Sequence, residues 1–276
     1  MEKKINSFDG TKINYDISKS SKDNWLIFIH GAGGDLTAWR KERYFFHKKG
    51  YSTIPVDLRG HGKSERPDLP ISYKLENFAK DVDTIIKHEK IKNFIIIGHC
   101  FGGIVTIMFQ KLFPLLAKAY ILIDTTYKAP KKLKQLFHKY PFFVHILNHI
   151  LENENLRKKH FSHVKYKKFI GTGDYNAFRI FSDIAHTSFK SWIFTYENLS
   201  NFNGIKIMKK INKPVLIIEG KKDSIFNVLK AEKIHKLIKN SELKIIPNAN
   251  HIIILNNPGV LEKEIFNFIT TIKNFE

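Results

Sequence analysis

Short runs of consecutive apolar residues alternate with amphipathic stretches along most of the chain. Runs rich in β-branched residues, without regular alternation of polar and apolar positions, are typical of strands covered on both faces of a sheet. Because helical patterns separate these runs, the order predicts an α/β fold: a mostly parallel sheet flanked by helices. The predicted buried strands are Trp25–Ile29, Ser52–Val56, Phe94–Ile97, Tyr120–Ile123, Pro214–Ile218 and Leu243–Ile246.

The first residues show a different pattern, in which two short extended segments flank a turn signal. Asp9-Gly10 separates Lys3–Phe8 from Thr11–Ile17, and an Asp-Gly pair between such segments is typical of a β-hairpin. We therefore predict a hairpin at the edge of the sheet.

No apolar strand runs occur between Ile123 and Pro214. This part of the chain has helical patterns rich in aromatic residues and lysine. This predicts a helical lid over residues 126–205, inserted into a core domain formed by 1–125 and 206–276. Aromatic residues of the lid and apolar residues of the core are candidates for an apolar substrate pocket, and simple packing of lid helices is the alternative for each aromatic. The candidates are Phe142, Phe143, Phe181, Trp192, Ile225 and Ile252.

Composition narrows the class of protein. A hydrophobic fraction of 43% over 276 residues is ordinary for a globular protein that buries a full core. No stretch reaches the ~18 consecutive apolar residues of a membrane span, and the first residues do not resemble a signal peptide. The single cysteine excludes an internal disulfide, so a cytoplasmic location is the simplest expectation.

The formal net charge of +20 raises the question of nucleic-acid or membrane binding. The lysines are scattered as pairs and no nucleic-acid-binding motif is present, so we expect no specific nucleic-acid partner. Lys131–Phe137 is the one basic amphipathic stretch that stands out. Such a stretch is more commonly a solvated helix face, and weak contact with an anionic membrane surface is the alternative.

The strongest chemical signal is Gly98-His99-Cys100-Phe101-Gly102-Gly103, directly after a predicted strand and before the helical pattern Ile104–Leu112. A nucleophile on a sharp strand-to-helix turn stands clear of the sheet, and the glycines allow close approach of strand and helix. A helix N-terminus and a nearby histidine favour the thiolate form of a cysteine. In another sequence context, a lone cysteine would more often be a small buried hydrophobe.

A second glycine-rich segment, His30-Gly31-Ala32-Gly33-Gly34-Asp35, follows the strand Trp25–Ile29. A backbone N–H of this loop, with Ala32 as the candidate, would form an oxyanion hole together with the N–H of Phe101. The alternative is a phosphate-binding loop, but the glycine spacing fits neither of the common phosphate-binding patterns.

These two segments, together with Asp57-Leu58-Arg59-Gly60-His61-Gly62-Lys63-Ser64 between them, resemble the α/β-hydrolase superfamily in sequence and in order. The resemblance covers nearly the whole chain outside the predicted lid. It implies a mostly parallel sheet, a lid after the sixth strand, and a triad in the order nucleophile, acid, histidine. Most members carry serine where this chain has Cys100; members with cysteine there are similar to dienelactone hydrolases and polyhydroxyalkanoate synthases.

The resemblance also implies the remaining triad members. His251, in the loop after the last predicted strand, matches the superfamily's catalytic histidine. Asp223, after the strand Pro214–Ile218, matches the acid, and Asp124, at the end of the preceding strand, is the competing position. His61 and His99 are expected to be structural.

These residues predict a hydrolase with a Cys100-His251-Asp223 triad, which cleaves a small-molecule acyl substrate such as an activated ester, lactone or thioester through an acyl-enzyme on Cys100. The alternatives are an acyltransferase that uses the same thioester, and a binding protein that has lost turnover. No cofactor is expected. His145, His149 and Glu152 share one helical face but lack a further ligand, so no metal is expected either. The sequence does not determine the oligomeric state.

Overall fold

The computed structural model describes residues 1–20, 23–129, 162–273 and 275. Within these residues eight strands form one sheet in the order β1-β2-β4-β3-β5-β6-β7-β8. The pairs β1–β2 and β2–β4 are antiparallel, and the other neighbours are parallel. The strands are β1 Glu2–Asn6, β2 Lys12–Asp16, β3 Trp25–Ile29, β4 Ser52–Val56, β5 Phe94–His99, β6 Ala119–Ile123, β7 Val215–Gly220 and β8 Ser241–Ile246.

The predicted fold class is confirmed. The strand predicted as buried over Leu243–Ile246 is instead a partly exposed edge strand, in which only Ile246 is buried, and the other differences concern the ends of elements. The edge hairpin is present, with shorter strands than predicted and with Gly10 at φ +86° in its turn. The largest functional difference is at β5, which continues through His99, two residues beyond the predicted end at Ile97. The following helix begins at Phe101 instead of Ile104, because the chain turns within a single residue there.

Helices cover both faces of the sheet. On one face, the apolar spacing of α2, with Phe78, Val82 and Ile85 fully buried, packs this helix into a core cluster that it shares with α3 and α7. On the other face, Phe46 of α1 and Ile265 of α9 belong to a second cluster. The described helices are α1 Arg40–Lys48, α2 Leu75–His88, α3 Phe101–Leu112, α4 Ala177–Thr187, α5 Phe189–Ser200, α6 Ile205–Met208, α7 Val228–Leu237, α8 Ile253–Asn256 and α9 Pro258–Ile269, with 3-10 turns at Leu36–Trp39, Pro70–Tyr73 and Tyr166–Phe169.

The regular elements described between β6 and β7 are helical, namely one 3-10 turn and helices α4, α5 and α6. They fall mainly in the segment that the sequence assigns to a lid. Several predictions made on that segment lie outside the described residues: those for Phe142, Phe143, His145, His149, Glu152 and the basic stretch Lys131–Phe137. Over the described ranges, none of the helices has both the length and the apolar character needed to cross a membrane.

The carboxylate of Asp57, directly after β4, joins four separate parts of the chain. It accepts hydrogen bonds from the backbone N–H groups of Leu36 (2.7 Å) and Lys63 (2.9 Å) and from the side chain of Asn14 (2.8 Å). Nε2 of His163, in the segment before α4, lies 2.8 Å from the same carboxylate. Asp57 is fully buried, so it anchors the segment before α4 to the sheet.

Replacing Asp57 by asparagine is expected to lower the free energy of unfolding by about 3–5 kcal/mol, because it leaves a half-buried histidine and several donors without their anionic acceptor. Urea unfolding monitored by circular dichroism measures this change. Glu76→Gln, which breaks an exposed ion pair with Lys111, is the matched control and should cost about 0–1 kcal/mol. Equal losses in the two variants would contradict the anchoring role.

The contribution of the Asp57–His163 pair should also depend on pH. Burial raises the pKa of Asp57, but the hydrogen bond and charge of His163 outweigh it and hold that pKa below 3.8. Burial lowers the pKa of His163, but Asp57 outweighs it and holds that pKa above 6.5. The stabilisation should therefore be complete between pH 3.8 and 6.5, be lost at more acidic pH as Asp57 is protonated, and be lost at higher pH as His163 loses its proton.

Candidate active site

Cys100 forms the whole turn between β5 and α3. Its backbone lies at φ 53° and ψ −113°, in the left-handed half of the Ramachandran plot that non-glycine residues rarely adopt. The turn is held by the N–H of Cys100, which donates to the carbonyl of Ile123 (2.9 Å), and by the hydroxyl of Thr125, which donates to the carbonyl of Cys100 (2.7 Å). The strained backbone therefore presents the thiol at the carboxyl edge of the sheet.

Two glycines make this turn sterically feasible. A Cβ atom on Gly98 would lie 2.3 Å from the carbonyl oxygen of Gly102, and a Cβ atom on Gly102 would lie 2.2 Å from the carbonyl oxygen of Ile29. Both distances are far inside van der Waals contact. Strand β5, helix α3 and the end of β3 therefore approach as closely as backbones can, which brings the glycine-rich loop after β3 beside Cys100.

The two candidate oxyanion donors flank the thiol-bearing residue. Phe101 is the first residue of α3, where backbone N–H groups have no acceptor within the helix. Ala32 follows Gly31, whose added Cβ would lie 3.2 Å from Cβ of Cys100. The loop after β3 and the start of α3 thus lie on either side of Cys100.

His251 and Asp223 are in direct contact at the carboxyl ends of β8 and β7. Nδ1 of His251 lies 2.7 Å from Oδ2 of Asp223. The other carboxylate oxygen of Asp223 accepts the backbone N–H groups of Ile225 (2.6 Å) and Phe226 (2.8 Å). Both side chains are buried, so the carboxylate is fixed in orientation and in turn fixes the imidazole.

Electrostatics link His251 to Cys100 as well as to Asp223. Burial lowers the pKa of His251, but the negative charge of Cys100 and the hydrogen bonds with Asp223 and Cys100 outweigh burial and hold this pKa well above its usual range. The site therefore favours a protonated imidazole on His251.

Asp124, the competing acid, makes a different contact. It is fully buried, and its Oδ1 accepts the backbone N–H of Gly220 (2.7 Å). Its Oδ2 lies 4.0 Å from Nε2 of His99. Burial raises the pKa of Asp124 well above its usual range, more than the positive charge of His251 lowers it. The acid whose carboxylate contacts the His251 ring is thus Asp223.

His99 and His61 make backbone contacts. Nε2 of His99 donates to the carbonyl of His251 (2.7 Å), and Nδ1 of His61 donates to the carbonyl of Arg59 (2.9 Å). Burial, followed by the charge of His251, lowers the pKa of His99 to about 3, so its ring is neutral. These contacts support the loops of the site and place neither ring on the reacting atoms.

The predicted pocket residues fall into two groups. Ile252 is buried, Ile225 is half-buried, and Trp192 packs its ring 4.2 Å from that of Tyr196 next to the core cluster that contacts Cys100. The prediction for Phe181 is wrong, because its side chain is 72% exposed.

The orientation of α4 explains this error. The inward face of the helix carries polar residues: Asp183 packs against Gly33, and the hydroxyl of Thr187 donates to the carbonyl of Gly33 (3.2 Å). Phe178 and Phe181, three residues apart, therefore lie on the outer face, where both are exposed.

Among the residues that the structure describes, two groups of side chains have donor atoms close enough to hold a metal ion, and both overlap the site. His99, Asp124 and His251 form one; Asp124, Glu219 and Asp223 form the other. Burial and the charge of Asp124 raise the pKa of Glu219 to about 10. A protonated carboxyl is a poor cation ligand, and His251 already shares its Nδ1 with Asp223. The expectation of no metal remains a prediction.

Sequence reasoning missed several residues around the site. It assigned no role to Asp174, which accepts the backbone N–H of His251 (2.9 Å). It also assigned no role to Thr125, which holds the turn of Cys100. No spacing pattern identifies such contacts, because their partners are distant in sequence.

The comparisons with known proteins agree with this geometry. The family model of the α/β hydrolase fold matches residues 24–258, and the chain belongs to that family. Protein ABHD8 of Bos taurus is 26% identical over 273 residues, covering 97% of this chain but 59% of the bovine protein. The chain thus spans about three-fifths of the length of that relative.

A bacterial relative and a solved structure match over nearly their full lengths. Uncharacterized hydrolase YugF of Bacillus subtilis is 25% identical over 264 residues, covering 95% of each chain. The esterase EaEST from Exiguobacterium antarcticum has a TM-score of 0.75 at 19% identity, covering 98% of this chain and 100% of the esterase. The relatives thus include proteins named as a hydrolase and an esterase, and the structural match supports the fold.

Proposed function

We propose that this protein hydrolyses activated esters, lactones or thioesters through an acyl-enzyme on Cys100. The observation that carries the proposal is the convergence of three residues: Cys100 at positive φ between β5 and α3, and the His251–Asp223 pair joined at 2.7 Å. Relatives named as hydrolases support the reaction class.

In the proposed acylation step, the Cys100 thiolate attacks the carbonyl carbon of the substrate. The backbone N–H groups of Ala32 and Phe101 stabilise the oxyanion that forms. As the tetrahedral intermediate collapses, the bond to the leaving group breaks, and the protonated imidazole of His251 gives its proton to that group. The product that remains on the enzyme is a thioester.

In the deacylation step, His251 removes a proton from water, which attacks the thioester carbonyl. The oxyanion is held by the same two N–H groups, and collapse releases the free acid and restores the thiolate beside the imidazolium. Asp223 keeps Nδ1 of His251 protonated throughout, so that Nε2 is the atom that exchanges the proton.

We assign substrate enclosure to a cap formed by residues 126–205 over the core domain of 1–125 and 206–276. Trp192, Ile225 and Ile252 supply the apolar wall in the described part, and Phe142 and Phe143 remain candidates for the rest. An apolar wall with few polar groups suits an acyl group better than a charged polymer.

The nucleophile sets a preference among carbonyl substrates. A thiolate is a better leaving group than an amide nitrogen, so the intermediate formed from an unactivated amide returns to reactants. Aryl esters, enol lactones and thioesters have leaving groups that compete with the thiolate, and the intermediate then proceeds to the acyl-enzyme.

The experiment compares turnover of a short-chain aryl ester, p-nitrophenyl acetate, with cleavage of an unactivated peptide amide. We expect saturable, multiple-turnover release of nitrophenol and no detectable peptide cleavage. Efficient peptide cleavage without ester turnover would overturn the proposal.

A further inference from the structure

We infer that Asp174 is a positioning residue for the triad, an inference that rests on the proposed function. Asp174 lies in the loop before α4, and its carboxylate is buried. One oxygen accepts the backbone N–H of His251 (2.9 Å), and the other accepts the backbone N–H (2.9 Å) and the hydroxyl (2.5 Å) of Ser224. Ser224 directly follows Asp223 in the chain.

A single carboxylate therefore holds the main chain at both ends of the acid–histidine contact. The loops after β7 and β8 are also joined one residue before Asp223, where the N–H of Lys222 donates to the carbonyl of Ala249 (2.8 Å). Asp174 adds three hydrogen bonds nearer the triad, and hydrogen bonds to a carboxylate are stronger than those between neutral groups. The 2.7 Å separation between His251 and Asp223 depends on this link.

Asp174 is itself held from the side of α4. Nη2 of Arg179 donates to the carbonyl of Asp174 (2.5 Å), and Nη1 of Arg179 pairs with Asp183 (2.9 Å). Since Asp183 packs against Gly33, the chain of contacts runs from the loop after β3, through α4, to the two triad loops.

The rest of the same loop reinforces the contact with the segment around His251. The side chains of Asn250 and Asn256 both donate to the carbonyl of Thr172 (3.1 and 3.0 Å), and Gly171 N–H donates to Asn256 (2.7 Å). These bonds bring the loop against the histidine segment, and Asp174 alone in this loop contacts His251 with a side-chain oxygen.

The test replaces Asp174 by asparagine in the full chain. Asparagine keeps the shape but has one acceptor oxygen, so its NH₂ group faces an N–H donor and one triad loop loses its acceptor. Displacements of about 1 Å in an active site cost about 10²-fold, so we expect kcat for the aryl ester to fall about 10- to 100-fold, with KM changing less than about threefold.

A second measurement separates positioning from a purely structural role. The downfield ¹H NMR resonance of the His251 Nδ1 proton reports the contact with Asp223. It should broaden or shift upfield in Asp174→Asn. Tyr175→Phe is the matched control: it removes a hydrogen bond from the same loop to the carbonyl of Ser224 (3.0 Å) and leaves the carboxylate, so kcat and the resonance should stay unchanged.

Wild-type kcat and an unchanged resonance in a folded Asp174→Asn protein would overturn the inference and leave the proposed function standing. If that variant does not fold, Ser224→Ala removes one of the three bonds and should lower kcat in the same direction by a smaller factor. An unchanged kcat and resonance in Ser224→Ala would then overturn it. Loss of the proposed function would show separately, as ester turnover that does not depend on Cys100.

Discussion

Replacing Cys100 by alanine is expected to lower aryl-ester hydrolysis by about 10⁴-fold or more, because removing a covalent nucleophile removes the whole two-step route. Initial rates of nitrophenol release measure the effect. What remains should be the slow background that exposed lysines and histidines give with activated esters. The substitution is structurally mild, since alanine retains Cβ and the positive φ of 53° is no worse for alanine than for cysteine.

Cys100→Ser is the matched control for the chemistry. Serine keeps the volume and the contact with His251, but its hydroxyl is far less acidic than a thiol, so we expect turnover between those of the parent and the alanine variant. Cys100→Ala with parental turnover, in a protein that unfolds at the parental temperature, would contradict the role assigned to Cys100.

The second large effect concerns the acid. Asp223→Asn is expected to lower kcat by about 10²- to 10⁴-fold, because an amide NH₂ facing Nδ1 of His251 favours the wrong tautomer of the imidazole. The backbone N–H groups of Ile225 and Phe226 still have the remaining oxygen as acceptor, so the loop should fold normally. Steady-state kinetics with the aryl ester measure the change.

Asp124→Asn is the matched control. Burial raises the pKa of Asp124 well above its usual range, so burial disfavours its charged form, and asparagine resembles the carboxyl in shape. Its oxygen can still accept the N–H of Gly220. We expect less than about a tenfold change in kcat. A large loss in Asp124→Asn together with near-parental activity in Asp223→Asn would move the acid to Asp124.

The fold was predictable because each central strand is an uninterrupted run of apolar residues in the sequence. Leu26 to Ile29 of β3 and Ile95 to Ile97 of β5 are covered on both faces, so no polar position interrupts the run. The order of strands and helices then restricts the topology, because parallel strands need crossover helices. The candidate triad came from motif positions at the carboxyl ends of these strands.

The exact ends of elements were less predictable. Gly98 reads as a loop residue, yet it lies inside β5, and Gly102 lies inside α3. Glycine is usually a sign of a turn, but here it is needed because two regular elements and a neighbouring strand pack backbone against backbone. Local sequence does not distinguish these two uses.

Contacts between segments that are distant in sequence could not be predicted. Phe181 was predicted as a pocket residue, but α4 presents Asp183 and Thr187 to the loop after β3, so Phe181 is exposed. Likewise, Asp174 reaches His251 across 77 residues of sequence. Such pairings depend on how the cap segment packs, which amphipathic periodicity does not determine.

The central claim is that the carbonyl substrate becomes covalently bound to Cys100. The most direct measurement is intact-mass spectrometry with peptide mapping, on protein mixed with p-nitrophenyl acetate and quenched with acid during turnover. We expect a mass increase of one acetyl group on the peptide that contains Cys100. This adduct should be absent in Cys100→Ala and should decay at the rate of turnover. Turnover with no adduct on that peptide, or an adduct elsewhere that persists in Cys100→Ala, would contradict it.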